Sequence, residues 1–593
     1  MARRRAPLAP KPVPPKKAVK DGLLARVPPW VDVLAIFSVA LAVRLLYQRQ
    51  IGEFPYLNVP LVDAEEYLRW ARQLAGGDWL GKDIFYQAPG YPYFLGLVIY
   101  FLNDRMATIQ AVQHLLGALT CLLLYAAAYN IFGRTTAILA GLGGAFYGIL
   151  VCFEGFAIKS ALELFLLGSF IAVLSLQSKK SSYGLALAAG FIAGLMALVR
   201  ENLALLAVFA GVFLFFSGTA PPRKRLIPVL FLFVGLASAL APVAIRNYVV
   251  GKDLVLITSQ GGTSLYLGNN PQADGGYQPL IPGYANPANE GRYARVLAEK
   301  DMGRPLKPSE ISRYWTRKAV AFILEEPRKA AWLYIMKFRL FWHEYEIPDS
   351  ESYYWYRQFS PLLRWLPVNF GIVAVLGLTG IVFTLKDGKA RLLHLLVLGM
   401  LLGTLPFFLF ARYRLPVVVP LLILAAHCCT RFTARLSRRC WKSAARMGAA
   451  AMLSALLVYS MPGNVPKAEL IAQEISSSYY NVGATFDAGG QEVEAVDFFR
   501  RAIASESRYK PEIDARTALA GKALARGNYD VAEAFARQAL QIQPRYSKAW
   551  LVLGLVCEAQ KKRSEAEAAY RRCLEIEPGN EEAIRALKRL NIQ

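Results

Sequence analysis

Uninterrupted apolar runs alternate with short basic segments along the first 460 residues, and the pattern changes after that. The runs fall at about 30–51, 107–132, 135–152, 160–177, 184–200, 202–217, 226–245, 365–385, 392–410, 415–430 and 444–461. A helix rises about 1.5 Å per residue, so runs of ~17–25 residues cross the hydrocarbon layer. The pattern predicts an all-α, polytopic transmembrane body of about eleven spans. Two apolar stretches do not fit a span. Residues 89–102 are too few, and 330–342 carry Lys337 and Arg339 among aromatics. Both read as helices lying at the outer membrane surface.

The basic segments set the orientation. Arg134, Lys179 with Lys180, Arg223 to Arg225, Lys386 with Lys389 and Arg391, and the cluster from Arg431 to Arg446 all lie between runs. Cytoplasmic loops collect lysine and arginine, and strict alternation puts each of these segments on that side. The Pro-rich basic start, 1–29, is expected to be disordered and cytoplasmic. No small-residue cleavage site follows the first run, which reads as an uncleaved span. An odd span count places the C-terminus outside and leaves two large outer loops, 52–106 and 246–364. The expected location is a bacterial inner (plasma) membrane, with the tail periplasmic.

After the body (30–461) and an expected linker (462–478), residues 479–593 repeat themselves. One unit has Val482, Gly483, Phe486, Gly490, Ala495, Phe499 and Ala502. The next has Leu519, Ala520, Gly527, Ala532, Ala536, Ala539 and Pro544; the last has Trp550, Leu553, Gly554, Ala566, Tyr570, Cys573 and Pro578. Ala532 to Ala566 and Pro544 to Pro578 are each 34 apart. This resembles tetratricopeptide repeats, helix pairs with small residues where two helices touch, stacked as an α-solenoid.

Composition agrees with a membrane body. The chain is 55% hydrophobic and 19% charged, below the ~25% charged residues of soluble domains. The net charge of +25 would suggest nucleic acid in a soluble protein, but it sits in loops and no basic groove with stacking aromatics accompanies it. Seven cysteines without ligand spacing imply neither a disulfide framework nor a zinc site.

Candidate chemistry gathers near the outer ends of spans. The first outer loop reads Val62-Asp63-Ala64-Glu65-Glu66-Tyr67, followed by Gln87-Ala88-Pro89-Gly90-Tyr91-Pro92. The carboxylates suit a helix start, with Asp63 as the cap and Glu65 and Glu66 in the first turn; they also suit a general base. Further along stand Phe153-Glu154-Gly155-Phe156 with Lys159 and Glu163, then Arg200-Glu201-Asn202. Arg246-Asn247-Tyr248, Gly268-Asn269-Asn270-Pro271 and Arg412-Tyr413-Arg414 complete the series. In order and topology, residues 30–430 resemble GT-C superfamily polyprenyl-phosphate sugar transferases, of the protein O-mannosyltransferase and aminoarabinose-transferase kinds. Those carry an acidic motif in the first outer loop before a Pro-containing surface helix; here the motif is Asp-Ala-Glu-Glu rather than adjacent Asp-Glu.

The resemblance implies an integral-membrane glycosyltransferase acting on the non-cytoplasmic face. A lipid phosphate is a good leaving group, so the chemistry needs a base for the acceptor hydroxyl and cations for the departing phosphate. Asp63 is the expected base, with Glu65 or Glu66 assisting or binding a divalent metal. Lys159, Arg200, Arg246, Arg412 and Arg414 are the expected phosphate ligands, since arginine at an outer span end runs against the positive-inside trend. Tyr67, Glu154, Asn269 and Asn270 are expected near substrate, the asparagines suiting a turn equally. Expected partners are a polyprenyl-phosphate-linked sugar, the bilayer, and a protein or glycan acceptor engaged by the repeats. The rival reading is a repeat-bearing membrane scaffold in envelope polysaccharide assembly or export.

Overall fold

The computed structural model describes residues 27–54, 56, 59–180, 182–217, 221–282, 287–349, 351–460, 465–507 and 512–592. Of the basic N-terminal segment expected over 1–29, residues 1–26 lie outside these. The described residues form helices without a strand; Tyr147 and Val368 make an isolated parallel bridge.

Every apolar run coincides with a helix or a broken helix. Among the described residues, Pro29–Gly52, Met106–Phe132, Ser160–Lys180, Pro222–Gly251 and Ala411–Ser437 are individually long and apolar enough to cross a bilayer. Tyr183–Val199, Glu201–Ser217 and Phe370–Thr384 are apolar but shorter. The run at 135–152 is split into Arg134–Ala145 and Gly148–Phe153, because the Gly148 amide turns aside to the Val368 carbonyl at 3.2 Å. Helices Tyr183–Val199 and Pro222–Gly251 meet through glycines. A Cβ on Gly190 would stand 1.8 Å from the Leu232 oxygen, and one on Gly235 2.1 Å from the Leu187 oxygen. In lipid such small-residue contacts are what lets helices associate closely.

The loop after the first long helix opens with an amphipathic helix, Asp63–Ala75, that buries Ala64, Tyr67, Leu68, Ala71 and Leu74. The surface helix expected at 89–102 is Gly90–Phe101. It packs across the first, with Gly96 against Leu74, and leaves Tyr100 and Phe101 exposed at its end. The second large loop, 246–364, holds helices Gly261–Gly268, Pro287–Met302, Pro308–Glu325 and Pro327–Trp342, with a small core of Ala294, Ala298, Ile311 and Trp315.

The tail comprises helices Lys467–Ala488, Glu492–Ala504, Ile513–Ala525, Tyr529–Ile542, Ser547–Ala559, Arg563–Ile576 and Glu581–Ile592. Small residues fill the helix crossings as the repeats require: Gly554 lies under the Tyr570 ring and Gly483 under that of Phe499. The stretch expected as a linker is helical from Lys467 onward. The reason is burial: Ile475 packs against the same apolar core as the membrane body, Glu474, Ser476 and Ser478 are buried, and the same helix continues to Val482 within that core. The turns inside each pair use a left-handed residue: Gly490 and Gly527 at φ +75°, and Lys561 at φ +63°. A side chain there costs about 1 kcal/mol or more. Lys561→Gly, at an exposed site, is expected to stabilise the repeat array by up to about 1 kcal/mol, read as a higher unfolding midpoint.

Candidate active site

Asp63 is the first residue of its helix rather than its cap. The preceding Val62 takes φ +42°, a region that a β-branched side chain rarely adopts. That strained turn aims the buried Asp63 carboxylate inward, onto the Nη2 of Arg412. Arg412 is itself buried and forms a second ion pair, through Nε, with Asp349. Its Nη1 is buried with no described partner. One guanidinium thus bridges two carboxylates from loops far apart in sequence.

Around Tyr413 the other cations converge. The Arg200 guanidinium stands 4.5 Å from the Tyr413 ring centre and that of Arg412 5.6 Å. Arg200 is held by Glu163 in a two-point contact, 2.6 and 3.0 Å. Such forked pairs fix geometry as well as charge. Lys159, Arg200 and Tyr413 line a cavity of about 110 Å³ together with Gln260, Ser264 and Thr404. Burial, then the Arg200 charge, pulls the Lys159 ammonium down to about 8. Tyr67 is fully buried against Tyr91 (ring centres 5.4 Å apart). Burial and the Asp63 charge push its hydroxyl well above the usual range, while Arg412 and Arg200 pull the other way.

The other expected residues lie elsewhere. Glu65 is exposed, and Glu66 pairs with Arg69 on the surface. Arg246 spends its donors on the carbonyls of Leu80 and Asp83 and on Asn247, under the Phe85 ring at 3.8 Å. Arg414 donates to the carbonyls of Leu340, Phe341, His343 and Tyr345 and pairs with Glu346 at 3.1 Å. Glu154 is not beside Lys159. It forms a two-point contact with Arg44, 2.7 and 2.8 Å, and meets His114 Nδ1 at 3.2 Å. Asn269 donates to the carbonyls of Leu265 and Pro406 and receives Lys337 Nζ at 3.3 Å. Asn270 caps the turn after its helix, bonding the Tyr266 carbonyl and the Gln272 amide.

Two residues join the site without having been singled out, Asp349 and Glu290, and Tyr413, named only as part of its Arg-Tyr-Arg run, joins them. Glu290 accepts from the hydroxyls of Tyr86 (2.7 Å) and Tyr277 (2.9 Å). Burial raises its carboxyl, the two hydroxyls lower it, and Asp63 and Asp349 add to the rise. Among the described residues no set of three metal-ligating side chains is arranged to hold an ion. With Asp63 and Asp349 committed to Arg412 and Glu65 and Glu66 facing away, the donors present do not fit a resident divalent metal.

Residues 86–245 match the family of dolichyl-phosphate-mannose-protein mannosyltransferases. The matched segment takes in Lys159, Glu163 and Arg200; Asp63, Asp349 and Arg412 lie outside it. Residues 523–590 match a tetratricopeptide-repeat model. No curated protein matches the sequence. Similar solved structures include ArnT from Cupriavidus metallidurans bound to undecaprenyl phosphate, at 15% identity over 91% of this chain and 80% of that one, TM-score 0.41. The apo oligosaccharyltransferase of Archaeoglobus fulgidus is another, at 13% identity over 88% and 72%, TM-score 0.44. The tail is similar to the Arabidopsis OM64 TPR domain, at 28% identity over 21% of this chain and 98% of that one, TM-score 0.19. A membrane glycosyltransferase body followed by a tetratricopeptide tail is the organisation that the two family matches describe, in line with the resemblance read from the sequence.

Proposed function

We propose that this protein transfers a monosaccharide from a polyprenyl-phosphate donor to an acceptor hydroxyl on the non-cytoplasmic face, with the repeats close to the acceptor. The observation that carries this reading is Arg412. Its guanidinium places the Asp63 carboxylate beside Lys159 and Arg200, the cations that line one cavity, so a base and phosphate-binding cations stand together. Arg200 is pre-oriented by Glu163, and Tyr413 is shared by both arginines.

In the reaction, Asp63 accepts the acceptor hydroxyl proton as the oxygen bonds to the sugar's anomeric carbon. The bond from that carbon to the phosphate oxygen breaks, and the lipid phosphate leaves onto Arg412, Arg200 and Lys159. One base and one good leaving group make a single displacement with inversion, without a carboxylate nucleophile. The work of the site is to place charge where it develops on the departing phosphate.

The test is purified full-length protein incubated with a panel of polyprenyl-phosphate sugars, following lipid-phosphate release with and without chelator. Release from one donor, lowered about 10²-fold or more by Arg412→Lys, is the expected result, since lysine cannot reach two carboxylates and a phosphate at once. No release from any donor would leave the scaffold reading in possession.

A further inference from the structure

The repeat tail meets the segment that carries Asp349 through a buried carboxylate. Glu474, in helix Lys467–Ala488, is 3% exposed where the tail meets residues 343–352. One of its oxygens accepts from the Tyr345 hydroxyl and the other from Ser352 Oγ at 2.5 Å. Those two donors bracket Asp349, the second partner of Arg412. The same segment also grips the backbone and side chains around Arg412. The Ile347 carbonyl accepts the Ala411 amide at 2.8 Å, and the Tyr345 carbonyl accepts Arg414 Nη2 at 2.7 Å. Glu474 thus holds a residue on either side of Asp349 in the chain, and Asp349 in turn meets Arg412, which meets Asp63.

We propose that Glu474 is a positioning residue, by which the repeat tail completes the active site: it holds Tyr345 and Ser352 in the arrangement that sets Asp349 on Arg412. The proposal rests on the reading of Arg412 as the donor-phosphate site. The tail does not depend on Glu474 to stay attached. Tyr479 packs on Trp355 and Phe498 on Tyr56, at 5.9 and 5.6 Å between ring centres. At the far end Tyr293 donates to Glu577, and Arg292 lies 3.7 Å from Glu581. Replacing Glu474 therefore probes the placement of the segment rather than the attachment of the domain.

The contact carries its own pH signature. The groups facing Glu474 are Glu346, Tyr345 and Tyr354 from the body and Lys467 from its own helix; Arg414 pairs with Glu346, and Glu344 with Lys467. Burial pushes the Glu474 carboxyl up to about 8; the Ser352 and Tyr345 hydrogen bonds pull against that, Glu346 adds to it and Lys467 opposes it. A carboxyl raised above its usual 4.5 favours the docked state when protonated. The contact is thus at full strength below that value and weakens as pH rises towards about 8.

Full-length wild type, Glu474→Ala and Glu474→Gln are compared in nanodiscs by amide hydrogen exchange, corrected for intrinsic rates, and by undecaprenyl phosphate titration. At pH 7, Glu474→Ala is expected to speed exchange of the Ala411 amide and to weaken undecaprenyl phosphate binding, each about 10-fold. Glu474→Gln, which can accept from Tyr345 and donate to Ser352, stays within about 2-fold of wild type and loses the rise in exchange between pH 5 and 8. Unchanged exchange in Glu474→Ala, or faster exchange with unchanged binding, overturns the proposal. If Glu474→Ala fails to fold, parallel pH profiles for wild type and Glu474→Gln overturn it. Faster exchange in a protein whose wild type does not bind undecaprenyl phosphate leaves the Glu474 contact in place and removes the donor-site reading instead.

Discussion

Asp63→Asn lowers sugar transfer by about 10²–10⁴-fold and leaves the protein folded, the scale expected for loss of a general base. The amide has the carboxylate's shape and can still accept from Arg412, but it cannot take the acceptor proton. The fold should tolerate the change because Arg412 keeps its second carboxylate, Asp349, and the helix that begins at Asp63 is anchored by Tyr67, Leu68 and Ala71. The comparison that makes the result decisive uses the neighbouring carboxylates. Glu65 is exposed and Glu66 is tied to Arg69, so Glu65→Gln and Glu66→Gln should stay within a few-fold of wild type. Turnover is read as lipid-phosphate release at saturating donor, with unfolding followed in parallel. Full turnover by Asp63→Asn, with loss in Asp349→Asn or Glu290→Gln, would move the base to one of those residues.

Legibility in the sequence follows the distance over which each feature is encoded. The apolar runs and the 34-residue repeat are local or periodic, and the helices fall where the runs do. Lys159, Arg200 and Arg412 were legible as cations out of place at span ends, and they share one neighbourhood around Tyr413. Arg246 and Arg414 carry the same local signal, yet they serve loop carbonyls, because a sequence displays a charge without its partner. Asp349 shows the converse. It lies in an acidic stretch without motif, and only the folding together of distant loops brings it to Arg412. The tail was legible as repeats but not as part of the core, since Val482 and Phe498 occupy positions that an isolated repeat would bury equally well.

Glu154→Ala is the substitution expected to cost the most stability, about 3–5 kcal/mol, because it leaves the Arg44 guanidinium uncompensated in the interior of the body. Both side chains are 0% exposed, and the carboxylate also holds His114. The surroundings are shaped to it: a Cβ on Gly117 would stand 1.9 Å from the Glu154 Oε1, so no other side chain can share the space. Such a pair orients helices more than it stabilises them, since its attraction roughly offsets the desolvation of two charges. The double replacement Arg44→Met with Glu154→Leu should therefore recover most of the loss, and a double-mutant cycle on unfolding in detergent measures the coupling. The same variants decide between two roles for Glu154. A structural pair predicts that the double variant regains donor binding along with stability. A substrate contact predicts that it regains stability alone, with undecaprenyl phosphate affinity still lost. The geometry favours the first outcome, because the oxygens of Glu154 are already taken by Arg44 and His114, and it is Lys159, not Glu154, that lines the cavity with Arg200.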